Sequence, residues 1–173
     1  MSSNTKLASG MCIPCSVRPS ADKGLGVFAE KDVARGTTIW RHVSNQYRVL
    51  DSGLLEALLV ERSRKDAVYL LTHITSIEEF PGYMVEFFDE GALINHSDRP
   101  NVKRKSSAAN YSELTAHSLP EIYEALQSRH FDLVAAYDIA AGEELLMDYD
   151  DEPDDPAYYD EACRRYGVTW DWL

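Results

Sequence analysis

What this 173-residue chain lacks narrows its function before any motif is read. It has three cysteines, Cys12, Cys15 and Cys163, an odd number with no framework spacing, which excludes a disulfide-stapled scaffold. Cys12 and Cys15 form a C-x-x-C, but no second C-x-x-C or His pair completes a tetrahedral set. No metal is therefore expected, and the two read as strand cysteines of a reducing compartment. No apolar run approaches the roughly 18 residues that a membrane-crossing helix needs, and the amino terminus has no leader pattern. The expectation is an intracellular protein, cytoplasmic or nuclear, not secreted and without a membrane partner. Basic residues are also scarce, with 17 Lys and Arg against 29 Asp and Glu and a formal charge of -12. A general nucleic-acid binder needs a basic face to release counterions, so no direct nucleic-acid binding is expected. The same field would draw in a basic protein or peptide.

What is present is a chain with 45% hydrophobic residues, enough for one domain with a real core. Its most informative stretch is Ala92-Leu93-Ile94-Asn95-His96-Ser97-Asp98-Arg99-Pro100-Asn101. An apolar run ends there in amide, imidazole and hydroxyl groups, then in a proline that continues neither strand nor helix. Asn95 and His96 offer donors and acceptors on rigid planar groups, which suits the edge of a heterocycle. A plain structural turn is the competing reading. An N-x-S glycosylation site carries little weight without a leader.

Residues 1–11 read as a flexible terminus. From Ile13 to Ala29 two short strands flank the Gly-rich turn Asp22-Lys23-Gly24-Leu25-Gly26. A lone G-x-G without a third glycine or a following helix is no dinucleotide fingerprint. An internal echo follows: Ala29 to Ile39 and Ala135 to Leu145 share the form A-x-x-D-[VI]-A-x-G-x-x-[IL]. It predicts two similar turn units meeting in one β-rich fold. Asp51 and Ser52 predict a helix through about Arg64, with Leu54, Leu55, Leu58 and Leu59 on one face. Residues 66–75 fit helix or strand equally. Tyr83 to Phe88 reads as a strand, Lys103 to Ala109 as a polar loop, and the residues up to His117 as a strand. Ser118-Leu119-Pro120-Glu121 opens a helix to about Arg129, and Phe131 to Ala136 is a strand. Near the end, Asp155 as cap, Pro156 as first residue and Gly167 as stop predict a helix over 156–166. The aromatic tail after it is expected to dock on the body.

Four pieces in order resemble the SET-domain protein lysine methyltransferases: Lys23-Gly24-Leu25-Gly26-Val27, Leu93-Ile94-Asn95-His96-Ser97 with Pro100-Asn101, Gly142-Glu143-Glu144-Leu145, and Asp148-Tyr149. The resemblance spans about Cys12 to Asp150. It implies a mostly β (α+β) fold of the β-clip kind, with several short sheets, a pseudoknot, few helices and a C-terminal helix. The implied organisation is a SET domain over 12–150, with a helical insertion at about 51–80 and an extra segment at about 103–130. Residues 151–173 would then be a post-SET-like helix and tail without zinc. The implied cofactor is S-adenosyl-L-methionine, held by Lys23, Gly24, Leu25, Gly26, Asn95, His96 and Tyr149. Tyr149 would be catalytic, and Tyr83, Tyr149 and Trp170 would line the substrate channel.

That chemistry suits these groups. A lysine of pKa about 10.4 is less than ~0.1% neutral at pH 7, so an apolar channel beside a positive sulfonium would favour the free amine. In-line attack then needs alignment and charge placement, with no covalent intermediate. The implied substrate is a basic protein segment, a histone tail or a non-histone lysine. The chain departs from the family where an E-Y-x-G-like segment is usual; Trp40-Arg41-His42-Val43 stands there. A second channel tyrosine would have to be Tyr47 or Tyr83. Asp98 stands where a Cys often follows the triplet, and a zinc-binding tail is absent. Tyr158, Tyr159, Tyr166, Trp170 and Trp172 would close the channel instead, or simply pack in the core. These departures leave a rival reading, a catalytically silent SET-like protein-binding module.

Overall fold

The computed structural model describes residues 9–21, 23–41, 46–76, 80, 82–105, 118–128, 132–149 and 155–169. In chain order the elements are β1 (Cys15–Pro19), β2 (Leu25–Ala29), β3 (Thr38–Trp40), β4 (Tyr47–Leu50), α1 (Ser52–Val60), α2 (Arg64–Leu71), β5 (Ile74–Ser76) and β6 (Met84–Phe87). A 3-10 turn (Glu90–Leu93) follows, then β7 (Asn95–His96), β8 (Val102–Arg104), α3 (Leu119–Ser128), β9 (Leu133–Ala135), β10 (Leu146–Met147) and α4 (Ala157–Tyr166). They form four small sheets, β1-β2, β10-β7, β3-β9-β8 and β4-β6-β5. The chain divides into two compact units, one of 1–47, 88–108 and 126–149, the other of 48–87, 109–125 and 150–173.

In the first unit β1 and β2 make an antiparallel hairpin, with Val17 opposite Val27 and Pro19 opposite Leu25. Its turn closes where the Ser20 N–H donates to the Gly24 carbonyl at 2.8 Å, and Gly24 sits at φ 76°, a region open to glycine. The two echo segments are partners of each other. Val33 and Ile139 exchange both backbone hydrogen bonds at 2.8 Å. The Gly36 N–H donates to Ala135 O (2.8 Å) and the Gly142 N–H to Ala29 O (2.7 Å). The Asp138 carboxylate accepts from the Arg35 N–H and the Asp32 carboxylate from the Ala141 N–H, both at 2.8 Å. Both turns close on a left-handed glycine, Gly36 at φ 82° and Gly142 at φ 91°. The repeat is therefore a local two-fold pairing, each copy satisfying the other's backbone.

Ahead of β7, Asp89 fixes the approach to the motif. Its carboxylate accepts from the Gly91 N–H (3.0 Å), the Trp40 indole N–H (2.9 Å) and the Gly10 N–H (2.7 Å). The indole is buried, and a Cβ on Gly10 or Gly91 would overlap it, so both positions are glycine by close approach. In the β3-β9-β8 sheet the buried Asp132 is paired bidentately with Arg41, at 3.0 and 3.1 Å. A buried carboxylate requires such a partner.

The second unit packs α1, α2 and α4 around Leu50, Leu55, Leu59, Leu71, Ile74, Met84, Tyr159 and Ala162. Each buried Leu there adds about 1.5–3 kcal/mol over an exposed one. Burial pushes the Tyr158 hydroxyl up to about 12, and that of Tyr159 further still. Their protons go to the Leu50 and Leu71 carbonyls at 3.0 and 2.7 Å, and that of Tyr166 to Leu59 at 3.2 Å. These three tyrosines therefore pack as core.

The structure corrects several local expectations and settles one left open. The helix expected to reach about Arg64 ends at Val60, because Ser63 caps a new helix through its hydroxyl to the Asp66 N–H at 3.3 Å. Residues 66–75, open between helix and strand, divide into the rest of α2 and then β5. Val102–Arg104 is a strand where a loop was expected from Lys103, since pairing with β9 outweighs its polar sequence. Pro156, with extended ψ 140°, is the cap of α4, one residue beyond the expected Asp155. Cys15 opens β1, whereas Cys12 precedes it, its thiol directed at Gly10 O and pushed up by burial. The strand expected up to His117 and the aromatic tail from Trp170 lie outside the described residues.

Candidate active site

The site is built in the first unit where β7 and β10 run side by side. They pair in parallel, Leu146 with Asn95 and Met147 with His96, although about fifty residues separate them. The Ser97 N–H extends the pairing to Met147 O at 2.9 Å. Asn101 then locks the register: its amide donates to Glu144 O (2.8 Å) and accepts from the Leu146 N–H (2.9 Å). Residues 145–147 are thus fastened to both ends of the Asn95–Asn101 stretch.

That fastening delivers Tyr149. Its backbone N–H donates to Nδ1 of His96 at 3.0 Å, and its hydroxyl donates to the Ile94 carbonyl at 2.6 Å. Because a backbone N–H can only donate, Nδ1 must be the acceptor, which assigns His96 the neutral tautomer with its proton on Nε2. The rings lie 5.4 Å apart and tilted by 54°, and Asp148 Oδ1 is 3.8 Å from the same Nδ1. With its proton directed to a carbonyl, the Tyr149 oxygen has only acceptor capacity to offer a reacting group.

The glycine turn meets β7 through side chains. Lys23 donates its ammonium to the His96 carbonyl. Asn95 donates one amide hydrogen bond to Leu25 O (3.0 Å) and another to Glu144 Oε1 (2.8 Å). Both partners only accept, so the amide orientation is fixed. Ser20 Oγ donates to the other oxygen of Glu144 at 2.9 Å. Gly26 is buried beneath this cluster, where a Cβ would overlap the Glu144 carboxylate and lie 3.0 Å from the Asn95 amide. A Cβ on Gly24 would meet nothing within 4 Å, so the turn presents open backbone there.

Of the residues expected at the site, Lys23, Gly24, Leu25, Gly26, Asn95, His96 and Tyr149 are therefore joined by these contacts. Tyr83 belongs to the second unit, where its N–H donates to Phe80 O at 3.2 Å. Trp170 lies outside the described residues. Sequence reading missed Glu144, Asn101 and Ser20 as site residues. Glu143 and Glu144 are adjacent acids, and nothing local says that Glu143 bonds its own turn at Ala140 while Glu144 faces Asn95.

The SET domain family model matches residues 24–150, well over half of the chain. Histone-lysine N-methyltransferase SUVR5 of Arabidopsis thaliana is 28% identical over 152 residues, 87% of this chain. The chain spans only 10% of that relative's length. Among solved structures, KRYPTONITE in complex with mCHG DNA and SAH matches with a TM-score of 0.51 at 19% identity, covering 85% of this chain and 26% of that one. Apo ctPRC2 with mutations in Ezh2 gives 0.57 at 19%, covering 86% of this chain and 16% of that one. These two likenesses concern the fold. The matched stretch opens at Gly24 and closes just past Tyr149, so it encloses nearly all of the contacts described above; the chain belongs to the SET domain family.

Proposed function

We propose that the chain is an S-adenosyl-L-methionine-dependent protein lysine N-methyltransferase acting on a basic protein segment, such as a histone tail. The observation that carries this reading is the meeting of the open glycine turn, the Asn95–His96 strand and the Tyr149 hydroxyl in a SET-domain chain. A bound cofactor would supply the activated methyl group. The residues fit such a ligand: an ammonium at Lys23, exposed backbone at Gly24, and half-buried polar groups at Asn95 and His96. With its amide hydrogens committed, Asn95 offers a ligand its side-chain oxygen. That a protein of the same fold was solved with SAH supports this cofactor class.

On this reading Tyr149 orients the incoming amine. Its oxygen, held by the Ile94 carbonyl, accepts an N–H of the lysine and C–H contacts from the transferred methyl. His96 holds the Tyr149 backbone in place, and desolvation favours the neutral amine that attacks. The fixed pairing of β7 with β10, with Asn101 fastened across it, supports the threaded arrangement implied by the resemblance. The net charge of -12 would steer a basic segment to the site.

Titration calorimetry with S-adenosyl-L-methionine, followed by transfer of labelled methyl to core histones or a fractionated extract, tests the proposal. Saturable binding and label on lysine are expected. Binding of a lysine-rich protein without cofactor binding or label would overturn it in favour of a protein-binding module.

A further inference from the structure

We infer that Glu144 is a positioning residue that sets the walls of the cofactor pocket, an inference resting on the methyltransferase reading above. Glu144 lies two residues beyond the second repeat turn, half-buried. One carboxylate oxygen accepts from Ser20, at the start of the glycine turn, and the other from Asn95, in β7. Its backbone is bridged to Phe28 of β2 and accepts from Asn101. One side chain therefore ties together two segments 75 residues apart, the turn and the strand assigned to the cofactor.

The tie has a steric counterpart. Glycine at 26 leaves room for the Glu144 carboxylate, which occupies the space where a Cβ would lie. The carboxylate can accept on both oxygens at once, which suits two donors arriving from opposite sides. Without it, the Asn95 amide would retain only Leu25, and Ser20 would lose its acceptor. Turn and strand would then be free to separate, and the ordering would have to be met on binding.

Glu144→Ala, Glu144→Gln and Glu144→Asp distinguish this role from general support. Gln keeps an oxygen for Asn95, and its NH2 can be accepted by a rotated Ser20 hydroxyl, so it should bind S-adenosyl-L-methionine close to wild type. Asp keeps the charge but is one methylene too short, and should resemble Ala. For Ala and Asp, calorimetry should show Kd raised at least about tenfold, equivalent to about 1.4 kcal/mol. KM for the cofactor should rise while kcat on saturating substrate stays near wild type. Thermal melts report stability separately. Wild-type affinity in folded Glu144→Ala or Glu144→Asp, or a weaker Glu144→Gln than Glu144→Asp, would overturn the inference. Should Glu144→Ala not fold, the Gln–Asp contrast decides it alone. Absence of cofactor binding by the wild type would instead remove the methyltransferase reading itself.

Discussion

The two copies of the turn unit, 29–39 and 135–145, have the same backbone pattern and different outcomes. In each, an aspartate caps the other copy's turn, a left-handed glycine closes it, and the final apolar residue, Ile39 or Leu145, is fully buried. The first copy then runs into β3 and the buried Trp40, antiparallel to β9. The second runs into β10, parallel to β7, and delivers Tyr149. Where the first has Thr38, the second has Glu144, whose carboxylate joins Ser20 to Asn95. Symmetry supplies the frame, and the chemistry sits where symmetry fails.

The strongest way to break the functional side of that contrast is Gly26→Ala. The new methyl displaces the Glu144 carboxylate, so cofactor binding should be lost in calorimetry, with urea midpoints showing a cost of about 1–3 kcal/mol. Tyr149→Phe removes the hydroxyl delivered by the second copy alone. Turnover in a labelled-methyl assay should fall at least about tenfold, ~1.4 kcal/mol in barrier. Stability should drop by only about 1 kcal/mol, the net worth of the bond to Ile94.

Gly36→Ala against Gly142→Ala sharpens the comparison. Neither Cβ meets anything within 4 Å, so each substitution costs only its left-handed backbone, about 1–2 kcal/mol, and the two melts should shift equally. Activity should fall only with Gly142→Ala, whose turn leads to Glu144. Smaller again are Asp32→Ala and Asp138→Ala, each removing one exposed cap at about 0.5–1.5 kcal/mol, to be seen as matched losses in denaturant midpoints. Least visible at neutral pH is Tyr158, outside both repeats. Its proton is held in the folded state up to about pH 12, whereas the unfolded side chain loses it near 10. Stability should therefore be intact below pH 10 and fall as pH rises towards 12, and Tyr158→Phe should flatten that decline in pH-dependent melts.

Much of the frame was legible in the residues. The repeat was visible as A-x-x-D-[VI]-A-x-G, because an aspartate, a glycine and small neighbours are what a capped turn requires. The hairpin, α1 and α4 followed from glycine, caps and apolar spacing. The edges were less legible: Ser63 restarted a helix inside the polar run Glu61–Asp66, and Val102–Arg104 became a strand through its partner. At the site, Asn95, His96 and Tyr149 were identifiable as types, but their division of labour was not. The amide of Asn95 suited a heterocycle edge in isolation, yet its hydrogens go to Leu25 and Glu144.

The sequence by itself determined the glycine turns, most of the helices and the family, since these depend on residues close in the chain or on motifs in order. Only the tertiary structure decided which polar groups face each other, because Ser20, Asn95, Asn101, Glu144 and Tyr149 meet across separations that no local periodicity encodes. A hydrogen bond needs its two atoms within about 3 Å, and that distance is set by the mutual pairing of the repeats and by the parallel register of β7 and β10.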